Sequence, residues 1–308
     1  MHPSVRFLLT TAAFISPVCG AVTTNLIAYY DFEETGAAGL ANIAPGATQF
    51  DATRGGAGDW NATANPSGPG FAGKSDFNGG DGISNRGTLL AGNALNLVDA
   101  RNEFITVPLG TGQLGQTFTI SAWHALTPGG FQQPAGPYNN SNRYHAFEAS
   151  NNFDVSWGTN TPATPTSGAY GSYTYLAYVG EAPAGGFGPT GVTTGNWQHV
   201  VHVFTSTGVD TSLAVYLNGS LVDTRTTLTA NLNFASLLIG RERNAPDPSG
   251  DRDWDGMFDE LAVWNRAITA SEVTEVYQRG LAGQAIPEPA TYMLSGLGVL
   301  LLLRRVRS

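Results

Sequence analysis

Along most of the chain apolar and polar residues alternate with a period of two, the signature of half-buried strands rather than of helices. Residues 117–123 show it most clearly, with Phe118, Ile120 and Ala122 on one face and Thr119, Ser121 and Trp123 on the other. Similar short runs lie at 25–32, at 104–107 before Pro108, and at 198–204, 213–217, 221–223, 237–240 and 257–264. Asn218-Gly219 separates two of them and predicts a hairpin turn, because both residues tolerate positive φ. One segment changes period. Thr269 and Glu272 have capping-box spacing, Val273, Val276 and Tyr277 share a helical face, and Gly280 is the expected stop, so a short helix is predicted over 270–278. Stretches 41–92, 127–142 and 158–192 lack either period and are rich in Gly, Pro, Asn, Ser and Thr, so they read as long loops.

With 39 glycines and 17 prolines, the pattern describes many turns joining short strands, an all-β domain. Both chain ends depart from it. After Arg6, residues 7–18 are largely apolar and end in Cys19-Gly20-Ala21, which reads residues 1–21 as a secretory signal peptide. Cys19 is the chain's one cysteine, and Val18 before it argues against lipidation. The exported body therefore has no disulfide and is held by its core, or by a metal.

The other end has three parts. Pro287-Glu288-Pro289 cannot join a helix interior and stays extended and accessible. The apolar run 290–303 has fourteen residues, about 21 Å as a helix against a hydrocarbon core of about 30 Å. Arg304-Arg305 and Arg307 then supply a positive-inside stop. An ordinary tail anchor would leave Pro287-Glu288-Pro289 unexplained. The arrangement resembles the PEP-CTERM sorting signal of Gram-negative bacteria. That resemblance implies recognition by an exosortase after a transient stay in the inner membrane, then delivery to the cell surface, outer envelope or extracellular matrix. The expected organisation is signal peptide at 1–21, body at 22–285, and sorting signal with a short transmembrane segment at 286–308.

Four of the fifteen basic residues, Arg6, Arg304, Arg305 and Arg307, belong to the ends, as does one of the 24 acidic residues, Glu288. The body is thus net acidic by about twelve charges, with Lys74 its one lysine. Such a surface repels phosphate backbones and excludes nucleic acid as a natural partner. It suits divalent cations or neutral polymers such as polysaccharides.

The order of the body's pieces is specific. It runs Tyr29-Tyr30-Asp31-Phe32-Glu33-Glu34, Ala94-Leu95-Asn96-Leu97, Phe104-Ile105-Thr106-Val107, Phe118 to Trp123, Trp197-Gln198-His199-Val200 and Leu213 to Gly219. It closes on Ile239-Gly240, Asp255-Gly256-Met257-Phe258-Asp259-Glu260-Leu261 and Trp264-Asn265-Arg266-Ala267-Ile268-Thr269. This series resembles the laminin-G-like, concanavalin-A-like jelly-roll family over most of residues 25–283. The resemblance implies a two-sheet antiparallel sandwich with Phe118, Ile120, Val215 and Leu217 interdigitating between the sheets. Trp123, Trp197 and Trp264 are expected in packing roles. His199 and His202, an odd number of residues apart on one strand, point to opposite faces and do not form a metal pair.

Catalytic patterns are missing. Gly-x-Ser-x-Gly and His-Glu-x-x-His do not occur. Glycoside hydrolysis needs paired carboxylates, and the nearest approach is Asp251, Asp253 and Asp255, in a loop-like, glycine-containing stretch. The chain is expected not to be an enzyme. The family resemblance suggests a structural calcium, with Asp31, Glu33 and Asp259 as candidate ligands. Glycan binding would use loop aromatics that stack on sugar rings, and Trp60, Tyr138, Trp157, Tyr173, Tyr175 and Trp254 form that pool. The sequence therefore points to an exported, non-catalytic module recognising glycan or another matrix component. A jelly-roll hydrolase or a purely structural matrix protein stands as the alternative.

Overall fold

The computed structural model describes residues 20–34, 40–47, 50–55, 70–73, 93–97, 103–110, 114–126, 143–150, 153–158, 174–179, 197–228, 235–241, 254 and 256–286. Strands are numbered along the chain. One antiparallel sheet holds β1 (Leu26–Tyr30), β3 (Gly70–Gly73), β4 (Asn93–Leu97), β6 (Phe118–Leu126), β10 (Gln198–Ser206), β11 (Thr211–Leu217), β12 (Ser220–Leu228) and β14 (Gly256–Trp264). A second holds β2 (Thr53–Gly55), β5 (Phe104–Pro108), β7 (Arg143–Ser150), β8 (Phe153–Gly158), β9 (Thr174–Val179) and β13 (Ser236–Ile239). The helices are α1 (Gly20–Thr23) and α2 (Ala270–Leu281). The strand orders are β12-β11-β10-β6-β14-β4-β3 and β2-β5-β13-β7-β8-β9. β14 is the hub of the larger sheet, because one edge pairs with β6 and the other is shared by β4 and β1.

The alternation predicted for β6 is the alternation observed. Phe118, Ile120 and Ala122 enter a core with Val200 and Phe204 of β10, Leu213 and Val215 of β11, and Phe258, Leu261 and Val263 of β14. The same core takes Ile105 and Val107 from β5, Phe147 from β7, and Leu237 and Ile239 from β13, so it fills the space between the two sheets. Asn218 and Gly219, at φ 49° and 78°, make the two-residue turn between β11 and β12 as expected.

On the outer face of the larger sheet lies α2. The Thr269–Glu272 capping box is present. Val273 and Val276 pack with Val201, Val203, Trp264 and Ile268. The helix does not stop at Gly280; it runs to Leu281. Gly280 is there for proximity instead, since a Cβ at that position would stand 2.2 Å from Trp123 Nε1. Tyr277 stacks on Trp123 and His199 at 5.5 and 5.8 Å. His199 thus faces the helix, whereas His202 packs edge-on to Phe147 of the opposite sheet. Trp123, Trp197 and Trp264 are all buried.

The predicted loops contain strands that the pattern did not show. β2 and β3 fall within 41–92, and β9 falls within 158–192. The stretch 127–142 lies outside the described residues.

Candidate functional site

At the β9 end of the smaller sheet two of the predicted aromatic residues are register neighbours. Trp157 of β8 and Tyr175 of β9 occupy directly paired register positions. Tyr144 of β7 pairs with Trp157 from the other side, so three aromatic residues occupy one row across three adjacent strands. At the usual strand separation that row spans about 10 Å. Tyr144 was not foreseen from the sequence. A register shift between His145 and Phe147 breaks the two-residue period of β7 and hides the strand. Glu148 and Asp154 are directly paired across β7 and β8, in the register position next to that of Phe147 and Val155.

Trp254 requires a correction. Expected at a loop rim, it is fully buried. It packs edge-on to His124 at 5.4 Å and against Phe258 at 4.8 Å, and its backbone N–H donates to the Gly240 carbonyl at 2.8 Å. Its ring fills the sandwich and is closed to a sugar. Trp60, Tyr138 and Tyr173 lie outside the described residues, as do Asp251, Asp253 and Asp255.

The carboxylates expected around calcium are engaged in structure. Asp31 Oδ1 accepts the Glu33 N–H at 3.3 Å. Glu33 Oε2 accepts the Asn93 N–H at 2.9 Å, and its carbonyl accepts from Asn93 Nδ2 at 2.7 Å, which ties the end of β1 to β4. Asp259 is fully buried in β14 opposite Trp123. Among the described residues no group of three or more His, Cys, Asp or Glu is placed to hold a metal ion.

At Glu260, φ +50°, β14 bulges, and there it meets Tyr29. The Tyr29 hydroxyl donates to the Glu260 carboxylate and accepts the Ile286 N–H at 3.3 Å. Burial, and then the negative charges of Glu260 and Asp259, push the Tyr29 phenol well above its ordinary pKa and keep it a donor. Ile286 immediately precedes Pro287. Pro287, Glu288, Pro289, Arg304 and Arg305 lie outside the described residues. So does the expected transmembrane segment. Among the described residues no helix is long and apolar enough to cross a membrane.

Comparison with curated proteins gives no match. Solved structures do match. Domain 4 of AbnA, a GH43 extracellular arabinanase from Geobacillus stearothermophilus in complex with arabinotriose, is 19% identical; the alignment covers 82% of this chain and 98% of that one at TM-score 0.45. The binding domain of Paraclostridial Mosquitocidal Protein 1 is 14% identical over 85% of this chain and 56% of that one, at TM-score 0.48. A heptameric SAP-like pentraxin from Limulus polyphemus is 20% identical over 60% and 78%, at TM-score 0.41. At the C-terminus the PEP-CTERM protein-sorting motif matches residues 285–308, which marks the chain for export and for exosortase processing at the membrane of a Gram-negative bacterium. The laminin-G-like model matches residues 99–274, more than half of the sequence, and with the two antiparallel sheets it makes this chain a member of the concanavalin A-like lectin/glucanases superfamily.

Proposed function

We propose that the protein is a non-catalytic binding module, delivered to the cell surface or extracellular matrix, that recognises a polysaccharide or another matrix component. The observation that carries this reading is the match to the concanavalin A-like lectin/glucanases superfamily over residues 99–274, with Trp157 and Tyr175, register neighbours on β8 and β9, as candidate contact residues. Aromatic rings suit the apolar faces of sugars, and polar residues suit the hydroxyls. The net acidic body, with its single lysine, favours a neutral polymer over a polyanion. The sorting motif supports delivery to where such polymers lie.

A hydrolase is the second reading, and its support is the direct Glu148–Asp154 pairing across β7 and β8. Directly paired residues have Cβ atoms about 5 Å apart, which puts two carboxylate residues at one place on a sheet face, as glycoside hydrolysis asks of its pair. A panel of polysaccharides, scored for retention of the protein and for release of oligosaccharides with and without calcium, separates the two. Retention without release is expected. Release abolished by Glu148→Gln or Asp154→Asn would establish the enzyme instead.

A further inference from the structure

Immediately before the sorting motif the chain is still part of the folded body. The Ala282 N–H closes α2 onto the Gln278 and Arg279 carbonyls at 3.1 and 3.0 Å. Gly283, at φ +64°, turns the chain and donates to the Gly280 carbonyl at 3.1 Å. The Gln284 N–H returns to the Arg279 carbonyl at 2.9 Å. Ile286 is then only 1% exposed, in one cluster with Val22, Leu26, Tyr29, Trp264 and Val276. Its N–H is held by the Tyr29 hydroxyl, which Glu260 holds in turn. The beginning of the body is seated in the same cluster, where the Val22 carbonyl accepts from Trp264 Nε1 at 2.6 Å. No slack separates this anchored residue from Pro287.

A processing enzyme takes its substrate as an extended segment that includes residues on both sides of the recognised motif. While residues 282–286 are bonded to the helix end and the Tyr29–Trp264 cluster, the side preceding Pro287 is unavailable. Peeling these five residues away yields about 17 Å of extended chain. Local openings of this kind set the rate at which a folded chain is cut when opening and closing are fast.

We propose that residues 282–286 form a strap that withholds the chain on the body side of the sorting motif, so that exosortase processes the tail only after the strap leaves the Tyr29–Trp264 cluster. The proposal rests on the processing reading of the tail. It assigns the body a part in its own sorting, because a chain with a tightly docked strap keeps its membrane segment longer.

The test is a pulse–chase of the full chain in cells carrying a cognate exosortase, with intact-mass measurement of the C-terminus. Inserting Gly-Ser-Gly-Ser-Gly-Ser between Ile286 and Pro287 leaves the docked residues untouched and supplies the missing slack. Processing should accelerate at least tenfold, the factor corresponding to the undocking of one buried apolar side chain, with the melting temperature unchanged. Tyr29→Phe, which keeps the ring and removes the acceptor for the Ile286 N–H, should accelerate processing about fivefold, the worth of one hydrogen bond. Normal processing of the wild type with an unchanged or slower rate in the inserted chain would overturn the strap alone. A wild-type chain that keeps Ser308 throughout would overturn the processing reading and the strap together.

Discussion

His124, His199 and His202 are each fully enclosed, and burial lowers their pKa to about 3; for His124 the other two histidines add to the shift. In the unfolded chain they titrate near 6.5. Protons therefore bind the unfolded state preferentially between about pH 6.5 and 3. The stability that neutral histidines permit is complete above 6.5 and is lost as the pH falls through that window. The span from pH 7 to 5 lies above the ordinary carboxylate range and isolates the effect. The unfolding free energy from urea titration should drop across it, by up to about 2 kcal/mol per histidine, and a flat profile would contradict the burial. The opposed faces of His199 and His202 were legible from the sequence, because odd spacing on a strand permits nothing else. Trp254 was not: the acidic, glycine-bearing residues around it resemble a solvent loop, while the ring itself enters the core. Trp254→Phe should cost about 1–3 kcal/mol in chemical denaturation through the cavity it leaves, without changing retention on any polymer. Loss of retention with unchanged stability would return Trp254 to the binding surface.

Gly280 shows how an element can be read correctly and its end misread. Glycine ordinarily marks a helix stop, but α2 continues through it because Trp123 leaves no room for a Cβ. Helix propensity predicts that Gly280→Ala stabilises by about 1 kcal/mol. The contact predicts the opposite, a loss of about 1–3 kcal/mol from overpacking. A fall in melting temperature is the expected outcome, and a rise would show that the helix simply slides aside. At the other end of α2 the sequence was a sufficient guide. Burial alone would raise the Glu272 carboxyl, but hydrogen bonds from Arg266 and Thr269 hold it below its ordinary pKa, so the cap stays ionised. The strands missed from the sequence, β2, β3, β7, β8 and β9, were hidden by local features that break or shorten the period. Some have only three or four residues, too few for a period to appear. β7 carries register shifts that change its parity midway, and β9 is embedded in residues that favour turns. The row of Tyr144, Trp157 and Tyr175 is built from these hidden strands. Trp157 and Tyr175 could be selected as aromatics, but not placed side by side.

The described body reads as one sandwich followed by a sorting motif, with the core of that sandwich legible from the first alternating run. Trp157 belongs to neither feature, and substituting it separates a module that binds from a protein that only fills space. The most direct measurement is the affinity of the wild-type protein and of Trp157→Ala for the polysaccharide it retains best, with the melting temperature of both recorded. The binding reading predicts a loss of at least tenfold, consistent with about 1.5 kcal/mol or more for an aromatic contact, in a variant that stays folded at the assay temperature. Undiminished affinity in Trp157→Ala, or no retention of the wild type on any neutral polymer, would contradict it.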